Sequence, residues 1–261
     1  MSTVLVTGAT DGLGRALATR LASEGATVLA HARSEERGRE ALAELLEGPG
    51  DVQLVVGDLA SLSAVRALAD QVPDRLDVLV NNAGIGFAAG REESAEGYEL
   101  RFAVNYLAGF LLASLLRDRL AASAPARIVN VASAGQQAID FDDVMLENGY
   151  DGARAYRQSK LAQVMHAFDM AEELEGRGVT ATALHPATFM DTKMVTETGI
   201  TPASTVQEGL EATWRLVAGP ALEGVTGAYF NGTSEARADA QAYDPDARRR
   251  LRELSQRLVG V

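Results

Sequence analysis

The chain has 261 residues, 36 Asp and Glu against 24 Lys and Arg, a formal net charge of −12 and no cysteine. That length suits one α/β domain, the 47% hydrophobic content supports a sizeable core and excludes a disordered segment, and the acidity excludes a nucleic-acid binder. Lack of cysteine removes any disulfide framework, thiolate metal site or thiol nucleophile and suits a reducing cytoplasm.

Taken in chain order, the first predicted strand is Thr3 to Thr7 (TVLVT), with no basic n-region ahead of it, so neither a signal peptide nor a membrane anchor is expected. It runs into Thr7-Gly8-Ala9-Thr10-Asp11-Gly12-Leu13-Gly14, where a helix opens, carries Leu13, Leu17 and Leu21 at helical spacing, and stops at Gly25. Strands follow at Thr27 to His31, Val52 to Val56, Asp77 to Asn81, Arg127 to Val131 and Val179 to Leu184. All are short, β-branched and apolar nearly throughout, as parallel strands buried on both faces must be. Between them lie Ser34 as an N-cap before Leu42, Leu45 and Leu46, and Ser61 as an N-cap before Leu62, Val65 and Leu68. Further helices are predicted over Tyr98 to Leu120, Ala153 to Glu175, Thr205 to Val217 and Pro245 to Val259, with a last strand near Ala228 to Asn231. The most apolar stretch, Leu107 to Leu116, is about half the roughly 20 residues a membrane span needs.

This alternation predicts a Rossmann-type doubly wound parallel sheet with helices on both faces, a three-layer α/β/α fold. One domain spans 1–261: a cofactor-binding and catalytic core over 1–185, an aperiodic substrate loop or lid over 186–204, and C-terminal helices with the last strand over 205–261. In the glycine-rich run, Gly8 permits the tight turn, Gly12 lets backbone approach a pyrophosphate, and Gly14 allows close packing. The helix N-terminus adds free N–H groups for the phosphates. After the second strand, His31-Ala32-Arg33-Ser34 lacks the acidic residue that would hold a ribose 2'-OH. Arg33, helped by Ser34 and Arg37, offers charge-assisted bonds to a 2'-phosphate instead, so NADP(H) is favoured over NAD(H).

The spacing Gly-x3-Gly-x-Gly resembles the short-chain dehydrogenase/reductase family, classical type, and further landmarks follow in order. They are Asp58-Leu59 after the third strand, Asn81-Asn82-Ala83-Gly84 after the fourth, Asn105, Ser133 at the end of the fifth, and Tyr156-Arg157-Gln158-Ser159-Lys160. The resemblance implies a nicotinamide cofactor held by Gly8, Thr10, Asp11, Gly12, Leu13, Gly14, Arg33, Ser34, Asp58, Leu59, Asn82, Ala83, Gly84, Tyr156, Lys160, Pro186 and Thr188. It implies catalysis by Asn105, Ser133, Tyr156 and Lys160. Two departures stand after the sixth strand: Ala187 replaces the usual Gly, and Thr192 lies one place late, leaving Thr188 and Thr192 as candidates for the nicotinamide carboxamide.

Tyr156 and Lys160, four apart in a helix, share one face, so the ammonium is expected to draw the phenol below its ordinary value of about 10. By resemblance, Tyr156 is the general acid or base, Ser133 holds the substrate oxygen, Lys160 contacts the nicotinamide ribose, and Asn105 holds a helix distortion and a water on the proton path. Only two of the 24 basic residues, Lys160 and Lys193, are lysine, which marks them as positions arginine does not fill.

Residues Ile139 to Asp143, Tyr150-Asp151 and Ala155 to Ala162 are similar to the retinol-dehydrogenase-like and WW-domain-oxidoreductase-like branch, here expected in a soluble form without retinoid chemistry carried over. Family members are commonly oligomeric, which implies a homodimer or homotetramer. Asp140, Asp142 and Asp143 read as a solvated loop rather than a cation site, and His166 and His185 as packing residues rather than ligands. Arg248, Arg249, Arg250 and Arg252 read as a solvated or subunit-facing helix surface. Asn231-Gly232-Thr233 matches a glycosylation sequon that a chain without a signal peptide does not use. The expected function is hydride transfer between a nicotinamide cofactor and a carbonyl or secondary alcohol of a small molecule, with no metal, nucleic acid or membrane partner. The alternatives are a catalytically idle nucleotide-sensing regulator on the same fold and a nucleotide-sugar epimerase or dehydratase.

Overall fold

A computed structural model describes residues 2–45 and 49–261. Of the expected repeat Leu42, Leu45 and Leu46, the last lies outside the described residues, as do the side chains of the other two. Eight strands form one sheet: β1 (Thr3–Val6), β2 (Thr27–Ala32), β3 (Asp51–Val56), β4 (Val78–Asn81), β5 (Ala126–Val131), β6 (Val179–His185), β7 (Ala228–Asn231) and β8 (Ser234–Ala236). Their order is β3-β2-β1-β4-β5-β6-β7-β8. Every neighbouring pair is parallel except β7 with β8.

The central strands β1, β4 and β6 are buried nearly throughout because each face is covered. Leu5, Leu29, Leu79 and Ile128 join one core, and Val4, Val6, Val28 and Val80 join the other, the two-residue period of a strand dividing them. The first core is closed by α3 (Leu62–Asp70), α4 (Ala108–Ala122), α5 (Gly152–Glu173) and α8 (Pro245–Val259). The second is closed by α1 (Gly12–Ser23) and α7 (Val206–Val217). Helix α2 (Glu35–Leu45) begins one residue after Ser34, and Ser61 caps α3 by accepting the Ala64 N–H at 3.4 Å. Among the described residues no helix is long and apolar enough to cross a membrane.

Four sequence expectations change. The helix predicted over Tyr98 to Leu120 opens with a π-helical turn, Phe102–Leu107, ahead of α4; Asn105, where the resemblance implied a helix distortion, lies inside that turn, its side chain accepting the Ile85 N–H. A strand, β8, is added: Gly232, at φ 58°, turns the chain so that Asn231 pairs with Ser234, and the sequon becomes a hairpin. The lid contains one helical turn, α6 (Lys193–Thr196). Finally, Arg248 is not a surface charge, since its guanidinium lies 3.4 Å from buried Asp169 and 2.6 Å from Glu172, both on α5.

Burial holds His31 and His166 below the ordinary histidine value, His166 at about 4. The native state therefore keeps both neutral while the unfolded chain takes up protons below about pH 6.5, so their contribution to stability is complete above that pH and lost as pH falls toward about 4. Urea unfolding is expected to show ΔG dropping across that window, with a shallower drop in His166→Leu. A His166→Leu slope identical to that of the unaltered chain would refute the assignment.

Candidate active site

The sheet order reverses at β1 and β4, and the crevice beyond their carboxyl ends is where a doubly wound fold binds ligands. The glycine run forms the first wall. Gly8 (φ 67°) and Gly12 (φ 50°) adopt the left-handed region. A side chain on Gly14 would place its Cβ 2.1 Å from the Gly8 carbonyl and 2.5 Å from the Asn82 amide. Asp11 caps α1 by accepting the Gly12 N–H at 2.8 Å.

Asn82 ties the second wall to the first. Its Nδ2 donates to the Thr7 carbonyl at 2.8 Å, and the Asn82 and Ala83 N–H groups donate to Thr7 Oγ1 at 2.9 and 3.0 Å. His31 adds a tie not foreseen in the sequence. Its Nδ1 accepts the Gly8 N–H at 2.9 Å, which assigns the proton to Nε2, 2.8 Å from the Gly57 carbonyl. A histidine at the carboxyl end of a buried strand was the available signal.

The other expected cofactor residues are distributed around this crevice. Leu13 and Leu59 are buried, one in each core. Thr10 is half-buried and Arg33 exposed. Asp58 is exposed, its carboxylate accepting the Ala60 N–H at 3.0 Å. Ser34 gives its carbonyl to the Gly38 N–H. Pro186 is buried, whereas Thr188 is exposed with its hydroxyl 3.0 Å from His185 Nε2. Thr192 lies elsewhere: its methyl would be 3.1 Å from a Cβ on Gly12, so the lid rests on the glycine turn, and Lys193 ion-pairs with Asp11 at 3.1 Å. The residues present fit a dinucleotide, because Gly12 and Gly84 add no side chain of their own to the crevice and no acidic group stands at 31–34.

Tyr156, Lys160, Ser133 and Asn105 come together where α5, the end of β5 and the π turn meet. Tyr156 is half-buried, with the Ser133 side chain beside its hydroxyl. Ser133 is held by its own backbone oxygen, which accepts from Tyr229 at 3.0 Å and Gln136 at 2.8 Å. Asn105 Oδ1 accepts the Ile85 N–H at 2.8 Å, and its Nδ2 donates to Ser159 Oγ at 2.9 Å, so one amide joins the loop after β4 to α5. A Cβ on Gly84 would lie 3.3 Å from Asn105 Oδ1 and 3.4 Å from Lys160 Nζ.

The expected downward pull of Lys160 on Tyr156 is not what this arrangement produces. Burial is the larger influence and raises the Tyr156 phenol above its ordinary value, and the Ser133 bond only offsets part of it. Lys160 Nζ is 5.7 Å from the Tyr156 ring centre and donates to the Val131 carbonyl at 3.0 Å and to Gln163 Oε1 at 2.8 Å.

The approach to Tyr156 is apolar. Phe87, 43% exposed, sets its ring edge-on to Tyr156 at 4.8 Å, and a Cβ on Gly86 would lie 3.2 Å from Met194 of the lid. This loop is fastened by Arg101, which donates to the Gly86 carbonyl at 3.2 Å, to Glu92 at 2.6 Å and to Tyr150 at 3.3 Å. Arg101 and neighbouring Glu99 are 4% and 1% exposed, a buried pair that the sequence, read for motifs, did not single out.

A family model described as short chain dehydrogenase matches residues 2–202. Retinol dehydrogenase 14 of Mus musculus is 37% identical over 289 residues, covering 99% of this chain and 86% of that protein. A crystal structure from Mycobacterium paratuberculosis superposes with TM-score 0.84 at 29% identity, covering 100% of this chain and 94% of that one. Pseudomonas aeruginosa RhlG, solved with NADP in its active site, superposes with TM-score 0.72 at 28% identity, covering 88% and 94%.

Proposed function

The chain belongs to the short-chain dehydrogenase/reductase family, in its retinol-dehydrogenase-like branch, and is an NAD(P)-dependent oxidoreductase; from that premise we propose that it transfers hydride between NADP(H) and the carbonyl or alcohol carbon of an apolar small molecule, with Tyr156 as general acid or base. The observation that carries this reading is the convergence of Tyr156, Ser133, Lys160 and Asn105 at the carboxyl end of the sheet, beside the glycine turn.

The nicotinamide supplies or accepts the hydride when bound. Ser133 and Tyr156 bracket the substrate oxygen. In reduction the protonated phenol, which burial keeps above its ordinary value, gives its proton to that oxygen as charge develops there. Ser133 donates a second hydrogen bond to the same oxygen. Phe87 and the lid residues Phe189 and Met194, all exposed, offer apolar surface at the entrance. The N-terminus of α1 would hold the pyrophosphate through N–H groups beyond Gly12, those of Gly8 and Gly12 being taken by His31 and Asp11, and Arg33 and Ser34 would hold the 2'-phosphate. Of the candidates for the carboxamide we assign Thr188, three residues beyond β6 with its hydroxyl 3.0 Å from His185 Nε2, over Thr192, which sits on the glycine turn.

The test is turnover on a panel of ketones, aldehydes and alcohols, retinol among them because the relatives bear its name, together with NADPH and NADH binding. Arg33→Ala is expected to weaken NADPH by about 10-fold or more and leave NADH within about two-fold, since only the phosphate bonds are lost. Tighter NADH than NADPH binding by the unaltered chain would reject the assignment. A homodimer or homotetramer in the cytoplasm belongs to the same proposal. Light scattering that returns a monomer mass would remove the oligomer from it.

A further inference from the structure

We propose that Gln163, on α5 three residues beyond Lys160, is a positioning residue that fixes the Lys160 ammonium beneath Gly84 and keeps it charged; this rests on the reading of Tyr156 and Lys160 given above. Lys160 is 4% exposed, and among the described residues no ion pair involves it. An ammonium so deeply buried is stabilised only by dipoles aimed at it. Two protein oxygens do this, Val131 O at 3.0 Å and Gln163 Oε1 at 2.8 Å, leaving one of its three N–H groups for other partners.

The Val131 carbonyl ends β5 and is fixed by the sheet. Gln163 is fixed by a buried relay: its backbone carbonyl accepts from Asn130 Nδ2 at 2.9 Å, and Asn130 Oδ1 accepts from Asn81 Nδ2 at 2.9 Å, locking α5 to β5 and β4. Gln163 itself is 3% exposed, so a polar amide has been placed in the core with its oxygen directed at the lysine.

The titratable groups facing Lys160 are Tyr156 of its own helix and His185 at the end of β6. His185 is held below its ordinary value by burial first and by the Lys160 charge second. The π turn presents Asn105, the loop after β4 presents Gly84 and β5 presents Val131, all uncharged. Burial brings Lys160 down to about 7, so the number of oxygens around it decides its charge near neutrality.

The chain has only two lysines. Carbon-13 labelling of lysine Cε therefore gives two side-chain NMR signals, and Lys193→Arg assigns them. The cofactor-free protein, Gln163→Leu and Gln163→Glu are titrated between about pH 5 and pH 11, and the pH profile of kcat is measured on the best substrate. The Lys160 midpoint is expected to fall by about one unit in Gln163→Leu and to rise by about one unit in Gln163→Glu, with the kcat profile moving the same way. Gln163→Leu is further expected to lose about 10-fold in kcat near pH 7, and Gln163→Glu, which keeps an oxygen on the lysine, to retain activity. Where Gln163→Leu does not fold, the Gln163→Glu titration decides alone, and an unmoved midpoint overturns the proposal. If Tyr156→Phe is inactive but both Gln163 variants titrate like the unaltered chain, the Gln163 assignment alone fails. A fully active Tyr156→Phe overturns the catalytic reading and this proposal with it.

Discussion

Tyr156→Phe is expected to lower carbonyl reduction by about 10²- to 10⁴-fold while binding NADPH as the unaltered chain does. The ring is retained, so the edge-on contact with Phe87 at 4.8 Å and the packing of α5 persist. Only the hydroxyl is removed, and with it the interaction with the Ser133 side chain. Because burial raises this phenol, the acid form prevails at and above neutral pH, and the loss is expected to be uniform across that range. The measurement is single-turnover oxidation of NADPH with saturating substrate, beside fluorescence titration of the cofactor. Undiminished turnover would remove Tyr156 from the chemistry; lost cofactor binding with unchanged single-turnover rate would make it a binding residue instead.

Gly14→Ala is expected to be the most damaging single methyl in the crevice. The new Cβ would sit 2.1 Å from the Gly8 carbonyl oxygen and 2.9 Å from the Gly8 carbonyl carbon, both backbone, and 2.5 Å from Asn82 Nδ2, which is held by its own hydrogen bonds. The first turn of α1 must move away, which strains packing by about 1–3 kcal/mol. Asn82 must also give up its bonds to the Thr7 and Gly8 carbonyls, leaving those acceptors without this half-buried amide. Cofactor affinity is expected to fall by about 100-fold, roughly 2.7 kcal/mol, with a lower Tm. Gly12→Ala is the control: its Cβ meets only the Thr192 side chain, nearest at 3.1 Å, and its penalty comes from φ 50°. Gly14→Ala that binds NADPH within about three-fold of the unaltered chain, at unchanged Tm, would show that the turn yields more easily than its geometry implies.

Seven strands were legible because parallel strands buried on both faces are written as unbroken apolar runs, such as Thr3 to Val6 and Val78 to Asn81. The eighth was not, because Ser234-Glu235-Ala236 is polar, three residues long and on the sheet edge. Hydrophobic spacing alone did not show the π turn at Phe102–Leu107, since it reads the same through one inserted residue; only the resemblance placed a distortion at Asn105, whose bond to Ile85 spans 20 positions.

The sequence by itself determined the sheet, the helices that cover it and the place where the chemistry gathers. Those depend on local periodicity and on short motifs whose members lie within a few residues of each other, such as Gly8 to Gly14 and Tyr156 to Lys160. Only the tertiary structure decided the protonation and reach of the groups. It replaced a Lys160 expected to charge Tyr156 with one turned toward Gln163 and Val131, and it joined Lys193 to Asp11, 182 positions apart in the chain. It also turned Arg248 inward to Asp169. Charge and hydrogen-bond partners are set by burial and by neighbours brought from distant segments, and no local pattern in the sequence encodes either.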